Sequence, residues 1–163
     1  VTEDRHVIID TPPDFRDQVL SFHVRRVDAV FLTHAHADHI FGFDDLRRFS
    51  TLQDRHIPVY GSEDTIRLMR RKFDYVDRPG YGFESVPRVE FAVQEAPVAV
   101  GRAVVTPLPV LHGQDLIYGF RIDGDGKRLG YIPDCSFIPD ETRRLLVGMD
   151  AMVLDGLRPK AHP

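Results

Sequence analysis

Cysteine and lysine are scarce in this chain, and tryptophan is missing altogether. A single cysteine, Cys135, rules out an internal disulfide, which suits a reducing cytoplasm as the expected location. No apolar run approaches the roughly 20 residues of a membrane span, and no signal-peptide pattern is visible, so no membrane partner is expected. A strong positive charge is lacking too. The net charge of −4 and the absence of a long basic run argue against a domain that grips nucleic acid through its phosphates. Only three of the 21 basic residues are lysine, and the arginine excess reads as compositional bias rather than as bidentate phosphate recognition. Internal repeats, low-complexity tracts and linkers are absent as well. What remains is 163 residues, 42% of them hydrophobic, enough for one domain with a sizeable core.

Short strand-like runs alternate with helix-like ones, the pattern of an α/β layered domain. Strands are expected at 7–9, 29–32, 59–60, 89–93, 103–107, 117–122, 128–132 and 152–154, with helices at 15–22, 38–49, 63–73 and 140–148. Asp123-Gly124-Asp125-Gly126 between two strand runs signals a tight hairpin. The Lys127 and Arg128 that follow, and the lack of a later Glu, exclude a calcium loop there. In the third helix, Glu63 and Asp64 fall in the first turn and Arg70, Arg71 and Lys72 in the last. The helix dipole favours that arrangement, which reads as a solvated helix end. The irregular stretch 77–84 is either a flap over a substrate or an ordinary surface loop.

The chemistry is concentrated in Thr33-His34-Ala35-His36-Ala37-Asp38-His39, directly after the apolar run Ala29-Val30-Phe31-Leu32. Neutral imidazole suits zinc and other first-row divalent ions, and a carboxylate adds an anionic oxygen. On an extended strand end, His34 and His36 point to the same side and can share one ion. Asp38 and His39 follow where the chain turns away, placed for a second ion; two ions about 3.5–4 Å apart form a hydrolytic clamp. Three imidazoles and a carboxylate in six positions are more than a His-rich surface turn needs.

H-x-H-x-D-H after a hydrophobic strand resembles the signature of the metallo-β-lactamase fold superfamily, and later segments agree with it. His112 follows the apolar run 104–111 and precedes Gly113, while Asp134 follows Leu129-Gly130-Tyr131-Ile132-Pro133. The resemblance implies that His34, His36 and His112 hold one ion, that Asp38 and His39 hold a second, and that Asp134 bridges the two. The implied cofactors are two divalent ions, zinc or manganese. Asp10, Thr33 and Asp155 are candidates to hold imidazoles from behind. The implied fold is a four-layer αββα sandwich with two mixed sheets face to face. Against that pattern, residues 1–163 are expected to form one partial domain, incomplete at both ends, with a last histidine ligand beyond Pro163.

Ile8-Ile9-Asp10-Thr11-Pro12-Pro13-Asp14-Phe15-Arg16, Pro58-Val59-Tyr60-Gly61, the run 107–113 and Asp134-Cys135-Ser136 resemble the branch that contains phosphoribosyl 1,2-cyclic phosphate phosphodiesterase. The tRNA 3′-processing branch usually has Gly where this chain has Ala37. The branch implies hydrolysis of a small cyclic phosphate or related phosphodiester by metal-bound hydroxide. Asp38 would orient the hydroxide, and His162 would stand near the leaving oxygen. The expected partner is a small-molecule phosphodiester, and a homodimer is compatible with the sequence. Hydrolysis of a carbonyl ester, thioester or lactam on the same fold stays open, as does a non-catalytic binding module.

Overall fold

Four short strands, β1 (Val7–Ile9), β2 (Ala29–Phe31), β3 (Ile57–Gly61) and β4 (Val89–Val93), lie parallel in that order in a computed structural model describing residues 5–78 and 85–156. Parallel neighbours need crossovers, and helices supply them. α1 (Phe15–Ser21) links β1 to β2, α2 (Ala37–Ile40) and α3 (Leu46–Gln53) link β2 to β3, and α4 (Glu63–Lys72) links β3 to β4. Every residue of β2 is buried, as a central parallel strand requires. Its Val30 joins Phe15 and Val19 of α1, Leu46 and Phe49 of α3 and Met69 of α4 in one core.

The helix expected over 38–49 is instead three pieces: α2, a 3₁₀ turn at Phe43–Asp45, and α3. Gly42 is the reason. Its N–H donates to the Thr11 carbonyl at 2.8 Å, and a Cβ there would stand 2.2 Å from the Pro12 carbonyl oxygen and 2.7 Å from Phe15 Cβ. The chain is pressed against the 11–15 loop, which no continuous α-helix would allow.

A second compact unit begins at Gln94. Its five strands run in sheet order β5 (Val98–Val100), β6 (Ala103–His112), β7 (Asp115–Gly124), β8 (Lys127–Ile132) and β9 (Ala151–Leu154), antiparallel except for the last pair. α5 (Asp140–Leu145) lies between β8 and β9 in sequence. The expected hairpin is present as a two-residue turn: Asp125 and Gly126 both have positive φ, 51° and 74°, between the paired Gly124 and Lys127. That is the chirality a type I′ turn requires.

β5 was not expected; three residues beside Pro97 carry too little periodicity to read. β6 runs five residues further than expected, through Pro107 and Pro109. Leu111 N–H points away from β7, to the Phe137 carbonyl at 3.0 Å. By the two-residue period the nitrogens of Pro107 and Pro109 face the same side, beyond the end of β5, where no ladder donor is needed. Among the described residues no helix is long and apolar enough to cross a membrane.

Asp28, buried just before β2, ties down the start of the first sheet. Its carboxylate accepts hydrogen bonds from Arg26 Nε at 2.8 Å, Arg55 Nη2 at 2.7 Å and the His6 N–H at 2.9 Å. Burial pushes its pKa up, but the bonds from Arg26 and His6 and the charges of Arg26 and Arg55 outweigh that and hold it below the usual carboxylate range. The folded value therefore lies under the unfolded value of about 3.9, so the stabilisation is complete above that pH and lost as pH falls through the folded value. Asp28→Asn should cost about 2 kcal/mol in urea unfolding at pH 7. The gap from wild type should narrow at pH 3, and an undiminished gap would contradict the assignment.

Candidate metal centre

The first unit gathers its chemistry at the carboxyl ends of β1 and β2, the edge where open parallel sheets place ligands. Asp10, the residue after β1, has a left-handed backbone with φ 59°, a conformation that Asp tolerates better than most residues. Its N–H still bonds to the Phe31 carbonyl at 2.9 Å, and its side chain turns back under the loop after β2. One oxygen accepts from Thr33 N–H at 2.8 Å. The other accepts from Thr33 Oγ1 at 2.8 Å and from His39 Nδ1 at 2.8 Å. Burial pushes the Asp10 carboxyl above its ordinary pKa, and the His39 and Thr33 bonds pull against it.

This network fixes the histidine tautomers. With its proton given to Asp10, Thr33 Oγ1 accepts from His34 Nδ1 at 3.0 Å. His34 and His39 both carry hydrogen on Nδ1 in this arrangement and present Nε2 as a lone pair, the form in which imidazole binds metal. His34 Nε2 lies 2.8 Å from His36 Nδ1, so the two rings direct nitrogens at one place, as two ligands of a single ion do. On the other side, His39 Nε2 lies 3.7 Å from an Asp38 oxygen. His34 is buried and His36 and Asp38 are exposed, so the donors run from the protein interior to solvent. Two imidazoles in register and an imidazole beside a carboxylate fit divalent first-row ions.

In the second unit, His112 is the last residue of β6 and Asp134 stands two residues past β8. β6 and β8 both run antiparallel to β7, so their ends lie at one end of the sheet. Backbone bonds stitch them: Ser136 N–H to the Leu111 carbonyl at 2.7 Å and Leu111 N–H to the Phe137 carbonyl at 3.0 Å. Asp155, one of the three candidates to hold an imidazole, has its carboxylate 3.4 Å from Cys135 N–H. His162 and residues 79–84 of the expected flap or loop lie outside the described residues.

One contact was not expected. Lys72, read as part of a solvated helix end, donates from Nζ to the Ala35 carbonyl at 2.7 Å, between His34 and His36. Nothing in the local sequence pairs residues 37 positions apart; the parallel crossover brings the end of α4 to the loop.

Residues 5–162 match a family model described as the β-lactamase superfamily domain. The chain belongs to this superfamily. It aligns over its full length with the crystal structure of a diphosphatase from the PhnP family at 36% identity and TM-score 0.86, covering 60% of that chain. A Zn²⁺-bound PqqB from Methylobacterium extorquens superposes with TM-score 0.67 at 22% identity, over 96% of this chain and 58% of that one, a likeness of fold. An octanoyltransferase from Porphyromonas gingivalis is 32% identical over 98% of this chain, which covers 32% of its length. The chain thus spans from about a third to three fifths of the length of these three proteins. The α/β, two-sheet metallo-β-lactamase fold expected from the histidine signature is borne out, and with it a hydrolase-type family; of the two sheets expected to be mixed, the second is, whereas the first is parallel throughout its described strands.

Asp10→Ala removes the acceptor behind both His39 and Thr33. Loss of an outer partner of this kind typically weakens metal binding by about 10–100-fold, and a competition titration with a chromogenic chelator should find a drop in that range. Unchanged affinity would separate Asp10 from the donor cluster.

Proposed function

We propose that the chain carries a metal-dependent phosphodiesterase centre acting on a small cyclic phosphate or related phosphodiester. The observation that carries this reading is the full-length likeness to a PhnP-family diphosphatase at 36% identity, combined with the paired donors at the end of β2.

In this reading, which follows the family resemblance, His34, His36 and His112 would hold one ion, zinc or manganese, and Asp38 and His39 would hold the second, with Asp134 shared by both. Asp38 adds a carboxylate beside His39. Divalent ions bound there would supply Lewis acidity and would acidify a bound water, whose pKa one zinc can bring to about 7. The residues of the chain do the rest. Asp38 accepts a hydrogen bond from the attacking water and orients it toward phosphorus. Thr33 and Asp10 keep His34 and His39 in the tautomer that leaves Nε2 available. His162 protonates the leaving oxygen.

A second reading, attack on a carbonyl ester, thioester or lactam by the same centre, draws on the octanoyltransferase relative, whose name belongs to acyl chemistry. The full chain should be assayed with zinc or manganese against bis(p-nitrophenyl) phosphate, a five-membered cyclic ribose phosphate, a diphosphate ester and a chromogenic cephalosporin. Phosphodiester turnover should appear and vanish with chelator. His34→Ala and His112→Ala should each lower kcat/KM by more than the ~10–100-fold that loss of an outer partner costs. Lactam turnover without phosphodiester turnover under either metal would overturn the proposal.

A further inference from the structure

We propose that Lys72 is a positioning residue for the candidate metal centre: its ammonium clamps the Ala35 carbonyl and so sets the His36 imidazole against that of His34. This rests on the metal-binding reading above and adds to it a residue from a different helix.

His34 and His39 bond directly to the Thr33 and Asp10 pair. His36 sits one step further out, exposed, with an extended ψ of 155°, where the chain leaves the strand end and enters α2. The peptide joining Ala35 to His36 sets the direction of the His36 Cα–Cβ bond. Turning that peptide plane would swing the ring away from His34 Nε2. Lys72 Nζ holds the carbonyl of that same peptide at 2.7 Å.

The clamp stands on a fixed base. α4 starts at an N-cap in which Ser62 Oγ accepts from Thr65 N–H, and it buries Ile66 and Met69. The residue after Lys72, Phe73, packs its ring 4.8 Å from that of the buried Phe43. The neighbouring Arg70 is engaged with Asp77 and lies over the Phe91 ring. Residue type agrees with the role. Eighteen of the 21 basic residues are arginine, yet this position holds lysine, a compact point donor matched to one carbonyl rather than a planar fork matched to a carboxylate.

Charge and position predict opposite signs. An ammonium repels incoming cations, so if Lys72 acted by charge alone its removal would tighten metal binding. If it holds the His36 peptide, removal weakens binding. The experiment measures the zinc dissociation constant of the full chain by chelator competition, beside the NMR signals of the His36 amide and ring in metal-free protein. Lys72→Met should weaken zinc binding by about tenfold, the lower end of the usual outer-partner loss, and shift the His36 signals while the thermal midpoint stays within a few degrees. Lys72→Arg, which keeps a donor, should recover most of the affinity. Arg71→Met, one residue away, should leave it unchanged. Zinc binding by Lys72→Met as tight as or tighter than wild type, or an equal loss in Arg71→Met, would overturn the role. A wild-type chain that takes up no zinc would overturn the metal-binding reading itself, and this role with it, before any variant is compared.

Discussion

A buried carboxylate at the end of β1 is the constraint from which the site in the first unit follows. Asp10 is shielded from water and is matched to three donors, two from Thr33 and one from His39. An unmatched charge in such a place would cost several kcal/mol, so the loop after β2 must take the shape that delivers those donors. That shape depends on strand register. Ile9 pairs with Phe31, which sets Asp10 beside the β2 exit, and a slip of one residue would turn the carboxylate to the opposite face. The sheet is therefore part of the site's geometry as well as its support. The left-handed backbone at Asp10 is the small strain accepted to turn the side chain under the loop.

The second unit solves a similar problem by other means. A strand that delivers a histidine at its end must stay extended for ten residues, and β6 does so with two prolines in it. Proline removes a donor, but here on the side where the ladder to β5 has already ended. The freed edge is used: Thr142 Oγ1 of α5 donates to the Pro109 carbonyl at 2.6 Å, and the residues after Asp134 pair with Leu111. The prolines thus keep the outer edge of β6 open for the segment that carries Asp134.

Legibility in the sequence followed the range of the interactions. The strands around the histidine cluster were readable because four apolar residues before a polar cluster are a local pattern, and Asp125-Gly126 was readable because chirality confines such turns to few residue types. The pairing of His34 with His36 followed from the period of an extended chain. What escaped was set by contacts distant in sequence. Gly42 looks like an ordinary helix residue until Pro12 and Phe15 are brought against it, and the break in the 38–49 helix has no local cause. Lys72 looks like a helix-dipole residue until the crossover carries it to Ala35. Asp10 and Thr33 were nameable as partners of the imidazoles, but their division of labour needed the three-dimensional network.

The proposed donor set also bears on the type of substrate. Neutral imidazoles bring no charge, so the proposed four histidines with Asp38 and Asp134 would leave two divalent ions only half neutralised. A mostly carboxylate set would have cancelled them. With both ions bound the result would be a local positive field on a chain whose net charge is −4, and such a field draws anions. Asp10, behind the imidazoles, would offset part of this field but not all of it, since three carboxylates do not balance two divalent ions. The Lys72 ammonium adds to the same sign beside His36. A phosphodiester anion gains from that field on approach and again as charge gathers on its oxygens, whereas a neutral lactam gains only in the second step. On the proposed reading, the electrostatics of such a donor set would favour an anionic substrate over a neutral one.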